Sequence, residues 1–172
     1  MTPEKALVNG LQRQLPGDGR RLLDWLRDDL GLAVRAACEL GQCGACTVLV
    51  DDAPALACCT VAATLVGADI RTVEGLPADE PLQLALCRRG AVQCGFCTSG
   101  MVLALTAAVD QLAAETAAVD DQTAARRIRA GIAGNVCRCT GYSQIVAAGV
   151  DAYRQTVSAM RRDDHDGEDP SG

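Results

Sequence analysis

The sequence predicts an α+β protein in which a small sheet-containing region precedes a helical region. Up to about residue 76, short apolar runs alternate with turn signals such as Asn9-Gly10, which is the pattern of strands joined by tight turns. After Pro77, apolar residues recur at three- and four-residue spacing, which is the pattern of helices. The cysteines concentrate in two groups, one in each region, so each region is expected to carry its own site.

The first region reads as a hairpin, a helix and further strands. Residues 5–8 and 11–14 flank the type I′ signal Asn9-Gly10. Leucines at helical spacing predict a helix over 20–30, which Gly31 ends, with Trp25 at its rim. Further strands are predicted at 47–50, 55–57 and 70–73. Strands and one helix around a cysteine loop are the outline of a β-grasp domain.

The second region reads as four helices, over 82–89, 101–118, 123–133 and 143–160. Pro81 suits the first turn of the first helix, because proline lacks an N–H that would be unpaired there. Four helices of this length predict a small four-helix bundle. Its interhelix segments 90–100 and 134–142 should then meet at one end and bring two pairs of cysteines together.

The first cysteine group has the spacing of a plant-type 2Fe-2S ferredoxin. Cys38, Cys43 and Cys46 form C-x4-C-x2-C, and Cys58 follows after eleven more residues. Such a loop can wrap a small cluster and donate three sulfurs, while a neighbouring segment donates the fourth. Gly41 and Gly44 would let backbone N–H groups approach the sulfurs. Cys59 is adjacent to Cys58 and is an alternative fourth ligand.

The second group consists of Cys94 and Cys97, followed much later by Cys137 and Cys139. Each pair precedes a helical pattern, and helix N-termini offer unpaired N–H groups to an anionic cluster. The C-x-C spacing is tighter than the C-x2-C and wider spacings usual for zinc. The remaining cysteine, Cys87, is expected to be a small buried apolar side chain in a helix interior.

Three other uses of these cysteines have to be weighed. A disulfide framework is typical of secreted chains, and the N-terminus carries no apolar signal segment. A zinc-stapled interaction module would use four thiolates per metal ion. A thiol-based redox sensor would oxidise the same pairs reversibly.

Composition excludes several functions. A net charge of −6 and a pI near 4.7 argue against nucleic-acid binding. There is no P-loop or GxGxxG string, and the single histidine, His165, leaves no His-dependent triad or Rieske centre.

No apolar stretch suits a membrane span. The expected compartment is therefore the cytoplasm, with co-export to the periplasm beside a signal-bearing partner as the alternative.

Three strings of this sequence closely resemble a known family. GQCGACTVLVDD (41–52), AVQCGFCTSGM (91–101) and GNVCRCTGY (134–142) are similar to the iron-sulfur subunit of the molybdenum hydroxylases, the xanthine dehydrogenase and aldehyde oxidoreductase group. The resemblance extends from about residue 7 to about residue 153. It implies two 2Fe-2S clusters that pass electrons from a molybdopterin subunit to FAD or another acceptor such as a cytochrome, within a hetero-oligomer.

The resemblance also implies roles for single residues. The ligands of the outer, ferredoxin-type cluster would be Cys38, Cys43, Cys46 and Cys58, and those of the inner cluster Cys94, Cys97, Cys137 and Cys139. Gln93 and Cys139 would contact the molybdopterin of the partner subunit. The complex would hydroxylate an aldehyde or an aromatic heterocycle with oxygen from water, and this chain would make no bonds itself.

One departure concerns the approach to Cys38. Members commonly have six residues between an LGL string and this cysteine, with glycine just before it, whereas here five residues separate them and Ala37 replaces the glycine.

The sequence as a whole is expected to divide into three parts. These are a β-grasp domain over 1–76, a helical 2Fe-2S domain over 77–160, and a charged, disordered tail over 161–172.

Overall fold

The fold combines a five-stranded sheet with four long or medium helices. The computed structural model describes residues 4–166 of the 172. The strands are β1 (Lys5–Val8), β2 (Leu11–Gln14), β3 (Thr47–Val50), β4 (Ala53–Leu56) and β5 (Asp69–Arg71). Their order in the sheet is β2-β1-β5-β3-β4, and only the β1–β5 pair is parallel. Among residues 4–166 no helix is long and apolar enough to cross a membrane.

The first hairpin forms as the sequence predicts. Asn9 and Gly10 have φ angles of 51° and 76°, and both values are required in a type I′ turn. The Asn9 side chain also accepts a hydrogen bond from the Thr72 N–H at 2.8 Å and donates one to the Thr72 hydroxyl at 2.9 Å. The turn residue therefore joins the hairpin to the chain that follows β5.

The predicted helix over 20–30 is shorter and less regular than expected. Helix α1 (Leu22–Asp24) continues into a π-helical turn, Trp25–Asp29. The placement of Trp25 at the helix rim is wrong, because the side chain is only 3% exposed. Backbone hydrogen bonds from Leu22 N–H to the Thr60 carbonyl, and from Ala62 N–H to the Arg20 carbonyl, hold the chain after β4 beside this helix. That segment helps to enclose the core to which Trp25 belongs.

The second region contains four further helices: α2 (Pro81–Arg88), α3 (Thr98–Ala113), α4 (Asp121–Gly131) and α5 (Ser143–Asp166). Helix α5 packs against α2, α3 and α4, and α3 packs against α4. Asp120 caps α4, since its carboxylate accepts a hydrogen bond from the Thr123 N–H at 2.9 Å. Because α5 runs to Asp166, the first part of the predicted disordered tail is helical, and residues 167–172 lie outside the described residues.

Strand β3 lies between two hydrophobic cores. One core includes Val48 and Ile70 of the sheet and the leucines of α1. The other core includes Leu49 together with the apolar faces of α2 to α5. Side chains alternate across a strand, so Val48 and Leu49 enter different cores. This arrangement places the segment before β3, which carries Cys38, Cys43 and Cys46, beside α3.

Helix α3 meets that segment through a glycine. A β-carbon on Gly100 would lie 2.4 Å from the carbonyl oxygen of Gly44 and 2.8 Å from that of Ala45. Both are backbone atoms and cannot rotate away. The first turn of α3 can therefore approach the cysteine loop only because residue 100 has no side chain.

We expect Gly100→Ala to lower the stability of the protein. The added methyl group must push α3 away from Gly44 and Ala45, at a cost of roughly 1–3 kcal/mol, of which the better helix propensity of alanine returns up to about 1 kcal/mol. The measurement is the thermal midpoint of the purified chain. Gly17→Ala is the matched control, since a β-carbon there meets nothing within 4 Å. Equal midpoints for the two variants would contradict the close contact.

Candidate metal centres

The loop that carries Cys38, Cys43 and Cys46 curls back on itself through residues with a left-handed backbone conformation. Glu39, Gly41 and Gly44 have φ angles of 54°, 74° and 68°. The backbone N–H groups of Leu40 and Gln42 consequently point at the Cys38 sulfur, each at 3.4 Å. These hydrogen bonds lower the pKa of the Cys38 thiol to about 6. The loop is therefore built to stabilise a thiolate, as the two glycines predict.

The other cysteines of this group lie deeper in the protein. Cys46, just before β3, and Cys58, just after β4, are both buried. The Ala57 N–H donates a hydrogen bond to the Cys46 carbonyl at 3.3 Å, which keeps the two segments side by side. Burial, the largest effect, and the neighbouring Cys58 raise the pKa of the Cys46 thiol to about 11. Cys38 and Cys43 form the more accessible half of the group.

The second cysteine group also assembles as the sequence predicts. The Cys139 and Cys94 sulfurs are 3.6 Å apart, and Cys97 and Cys137 form a second neighbouring pair. Cys97 immediately precedes α3, and the segment with Cys137 and Cys139 lies between α4 and α5. The two interhelix segments therefore meet at one end of the helical region.

The pKa values of the thiols in the second group differ from one another. Burial, together with the adjacent Cys137, raises the pKa of Cys97 to about 12. Burial also acts on Cys137, but hydrogen bonds from Thr140 and from Cys97 outweigh it and lower that pKa to about 7. The Thr140 hydroxyl donates to the Cys137 sulfur at 3.2 Å. Within this pair, therefore, the Cys137 thiol ionises more readily than the Cys97 thiol, and a metal that binds both must displace any proton that remains.

The arrangement in pairs fits a binuclear cluster better than a single ion. Two thiolates on one tetrahedral metal ion, with metal–sulfur bonds of roughly 2.3 Å, lie roughly 3.8 Å apart. The Cys94–Cys139 separation of 3.6 Å is close to that value. Within residues 4–166, however, no three His, Cys, Asp or Glu side chains converge tightly enough to hold one metal ion. A 2Fe-2S cluster takes two thiolates on each of its two irons, so four thiols that meet in pairs fit such a cluster.

A short hydrogen-bond network connects the two groups. The Val136 N–H donates to the Cys43 carbonyl at 2.8 Å, and Val136 directly precedes Cys137. The Asn135 side chain donates to the Gly44 carbonyl at 2.9 Å and to the Thr47 hydroxyl at 3.1 Å. Asn135 is 7% exposed, so these bonds are shielded from water. The first cysteine loop is thereby fixed to the segment that carries Cys137.

Tyr142 extends this network to the second group. Its hydroxyl accepts a hydrogen bond from the Cys137 N–H at 2.7 Å and donates one to the Asn135 carbonyl at 3.0 Å. Tyr142 has a φ angle of 67°, a left-handed value that bulky residues rarely adopt.

The sequence patterns did not identify Asn135, Thr140 or Tyr142 as site residues. The only available signal was their position beside the cysteines in the string 134–142.

The structure also places the other candidate residues. Gln93 is exposed and lines the same depression as Cys94, Cys97, Cys137 and Cys139. The expectation that Cys87 is buried is wrong, because its thiol is exposed. Helix α2 buries Leu82, Ala85 and Leu86 instead, and Cys87 therefore falls on the outer side. Cys59 is exposed too, with its sulfur 3.6 Å from that of Cys58.

Comparison with known proteins yields two family matches that follow the two regions. Residues 6–63 match the family described as a 2Fe-2S iron-sulfur cluster binding domain. Residues 72–149 match the family described as a 2Fe-2S binding domain. Each match contains one of the two cysteine groups.

Similar curated proteins cover nearly the same span. The 6-hydroxypseudooxynicotine dehydrogenase complex subunit beta of Paenarthrobacter nicotinovorans is 45% identical over 85% of this chain and 90% of its own. The xanthine dehydrogenase iron-sulfur-binding subunit of Escherichia coli O157:H7 is 41% identical over 86% of this chain and 91% of its own.

Solved structures agree with the sequence matches. Quinoline 2-oxidoreductase from Pseudomonas putida 86 superposes with a TM-score of 0.79 and 37% identity, covering 94% of this chain and 96% of that one. Aldehyde oxidoreductase from Desulfovibrio gigas has a TM-score of 0.79 and 34% identity, and covers all of this chain but 19% of that one. A chain of this kind thus also occurs as part of a much longer polypeptide.

We expect Tyr142→Phe to disturb the second cysteine group specifically. The loss of the hydroxyl leaves the Cys137 N–H and the Asn135 carbonyl without this partner, which costs about 1–3 kcal/mol. The measurement is the rate at which visible absorbance is lost on heating, with the EPR spectrum before heating. Tyr153→Phe is the matched control, because the Tyr153 hydroxyl accepts one backbone hydrogen bond, from Val119 at 2.9 Å. If the two variants gave the same EPR spectrum and the same rate, Tyr142 would have no special role.

Proposed function

This chain belongs to the 2Fe-2S small subunits of the molybdenum hydroxylases, and on that premise we propose that its paired cysteines hold two 2Fe-2S clusters. The outer cluster is held by Cys38, Cys43, Cys46 and Cys58, and the inner cluster by Cys94, Cys97, Cys137 and Cys139. When bound, each cluster supplies a site that takes up and gives off one electron at a time. The chain is thus the electron-transfer subunit of an oxidoreductase complex and is not itself catalytic.

One observation carries this proposal: two groups of paired thiols lie on either side of a direct backbone contact. The Cys43 carbonyl accepts the Val136 N–H at 2.8 Å, and Val136 precedes Cys137. A ligand of one group is therefore joined to a ligand of the other by one hydrogen bond and a short length of backbone. Such a path, with no flexible side chain in it, keeps the two sites at a fixed separation.

Polar hydrogens around the sulfurs support the redox role. The N–H groups of Leu40 and Gln42 point at Cys38, and the Thr140 hydroxyl points at Cys137. Hydrogen bonds to the sulfurs stabilise negative charge and so favour the reduced form of a cluster. Each site has its own set of donors, and the two sites can therefore have different reduction potentials.

The surface around the second group suits a large partner subunit. Cys94, Cys139 and Gln93 are exposed, and Val92, Phe96 and Val136 around them are 42%, 48% and 56% exposed. An apolar patch around a polar site is typical of a docking surface. We propose that the molybdopterin subunit covers this patch, with Gln93 and Cys139 facing the pterin. An FAD subunit or a cytochrome then accepts electrons from the outer site.

The complex, by this proposal, hydroxylates an aldehyde or an aromatic heterocycle with oxygen from water. The names of the similar proteins include a xanthine dehydrogenase, an aldehyde oxidoreductase, a quinoline oxidoreductase and a nicotine hydroxylase. All of these substrates are aldehydes or nitrogen heterocycles. The substrate is bound by the partner subunit, and this chain contributes the route by which electrons leave.

We also propose the finer division of the fold. Residues 1–76 constitute a β-grasp domain, in which the mixed sheet and α1 support the outer site. Residues 77–160 constitute a four-helix bundle formed by α2 to α5, in which the inner site lies at one end. The pairing of α5 with the other three helices supports a bundle, and the order of the sheet strands supports a β-grasp.

We expect Cys97→Ala to abolish the inner cluster and leave the outer one. Cys97 is one of four ligands, and an alanine cannot replace a thiolate, so iron should fall by about half, from about four to about two per chain. The measurements are iron content, EPR and substrate-driven reduction of an acceptor by the assembled complex. Cys87→Ala is the matched control, because Cys87 is exposed and lies outside both groups. An unchanged inner-cluster signal in Cys97→Ala would overturn the assignment.

We expect Thr140→Val to lower the reduction potential of the inner cluster. The hydroxyl at 3.2 Å from the Cys137 sulfur favours the more negative state, and its loss should shift the potential by on the order of tens of millivolts. The measurement is a redox titration followed by EPR. Thr156→Val is the control, because that hydroxyl donates only to the Ala152 carbonyl within α5. A potential that stays the same, or rises, would contradict the role of Thr140.

A further inference from the structure

A fifth thiol lies at the outer site and has no role in the proposed function. Cys59 follows Cys58 directly, in a short 3-10 helical turn, Ala57–Cys59. Cys58 is buried, whereas Cys59 is exposed. Their sulfurs are nevertheless only 3.6 Å apart. The turn therefore directs two consecutive side chains toward the same place instead of to opposite sides, as a strand would.

The sulfur of Cys59 lies against the cysteine loop. A β-carbon on Gly41 would be 2.7 Å from the Cys59 sulfur, so this thiol occupies the space that a side chain at residue 41 would need. Gly41 lies between Cys38 and Cys43 within the loop. Cys59 is therefore adjacent both to the fourth ligand and to the loop that carries the first three.

The spacing of the two sulfurs has a chemical consequence. Two thiolates that bind the same tetrahedral metal ion lie roughly 3.8 Å apart. Since the Cys58 and Cys59 sulfurs are separated by 3.6 Å, an iron at bonding distance from one needs little movement to bond the other. The exposed position of Cys59 also allows its side chain to rotate without displacing core atoms.

We propose that Cys59 is a reserve ligand of the outer cluster, which binds the iron of Cys58 when Cys58 cannot. The inference rests on the proposed function, because it assumes a cluster at the outer site. In the exchange the bond between iron and the Cys58 sulfur breaks, and that thiolate takes up a proton. The Cys59 thiol loses a proton and forms the new bond to the same iron. No electron is gained or lost, and no other reactant is needed.

The test compares variants of the full chain in its purified complex. Cys58→Ala should retain an outer cluster with all-thiolate ligands, and iron should stay at about four per chain. Cys58→Ala/Cys59→Ala should lose that cluster and fall to about two irons, as should the control Cys46→Ala, which has no adjacent thiol in the sequence. Cys59→Ala alone should keep both clusters. The readouts are iron, acid-labile sulfide and the EPR signals of the two clusters.

Two results would overturn the proposal. In the first, Cys58→Ala loses the outer cluster as fully as Cys46→Ala does, while the inner-cluster signal is intact. In the second, Cys59→Ala loses the outer cluster and Cys58→Ala does not, which would make Cys59 the primary ligand.

A second pair of variants covers the case in which Cys58→Ala fails to fold. Cys58→Ser is nearly isosteric, and Cys58→Ser/Cys59→Ala differs from it only in the reserve thiol. The proposal expects a thiolate-type absorption and EPR spectrum in the first and a changed spectrum, or none, in the second. Identical spectra of the two variants would overturn the proposal.

A wild-type chain without iron at the outer site would instead be a failure of the proposed function. The failure of the reserve-ligand proposal and the failure of the proposed function are therefore distinguishable.

Discussion

The structure depends on one close backbone contact between its two halves. Residues 43–45 of the first cysteine loop, the first turn of α3 at Gly100 and the segment around Asn135 meet with almost no side chain between them. The Gly44 carbonyl alone accepts hydrogen bonds from the Thr47 N–H, the Thr47 hydroxyl and the Asn135 side chain. A β-carbon at Gly44 would itself lie 2.5 Å from the Gly134 carbonyl. Glycine at these positions is what allows two metal sites in different halves to be neighbours.

The rest of the fold supports that contact from both sides. Strand β3 places Val48 in the core of the sheet region and Leu49 in the core of the helical region, so the cysteine loop before it is held by both. Helix α5 contacts each of the other three helices and is joined to α2 by a two-pronged ion pair between Arg89 and Asp151. The end of the helical region that carries Cys94, Cys97, Cys137 and Cys139 is therefore packed and hydrogen-bonded against the sheet region.

Much of this was predictable from the sequence, since the features concerned are local. Asn9-Gly10 specifies its turn by backbone geometry alone, and thiol spacing identifies the candidate ligands because a cluster requires a short wrapping loop. The meeting of the two interhelix segments was expected from four successive helices, because the connections after the first and the third helix lie at the same end of such an arrangement. What could not be predicted depends on contacts distant in sequence. Trp25 is enclosed by the chain after β4. Cys87 is exposed because the face of α2 with Leu82 and Leu86 packs against other helices. The Asn135 side chain donates hydrogen bonds to residues 44 and 47, far away in the sequence.

The electron-transfer role depends on one requirement, which is that both cysteine groups hold a 2Fe-2S cluster. It is tested most directly by the iron, acid-labile sulfide and zinc content of the anaerobically purified complex, measured per copy of this chain. Two bound clusters require about four irons and about four sulfides, no zinc, and two distinct EPR signals after reduction. Zinc in place of iron, with neither sulfide nor an EPR signal, would contradict it.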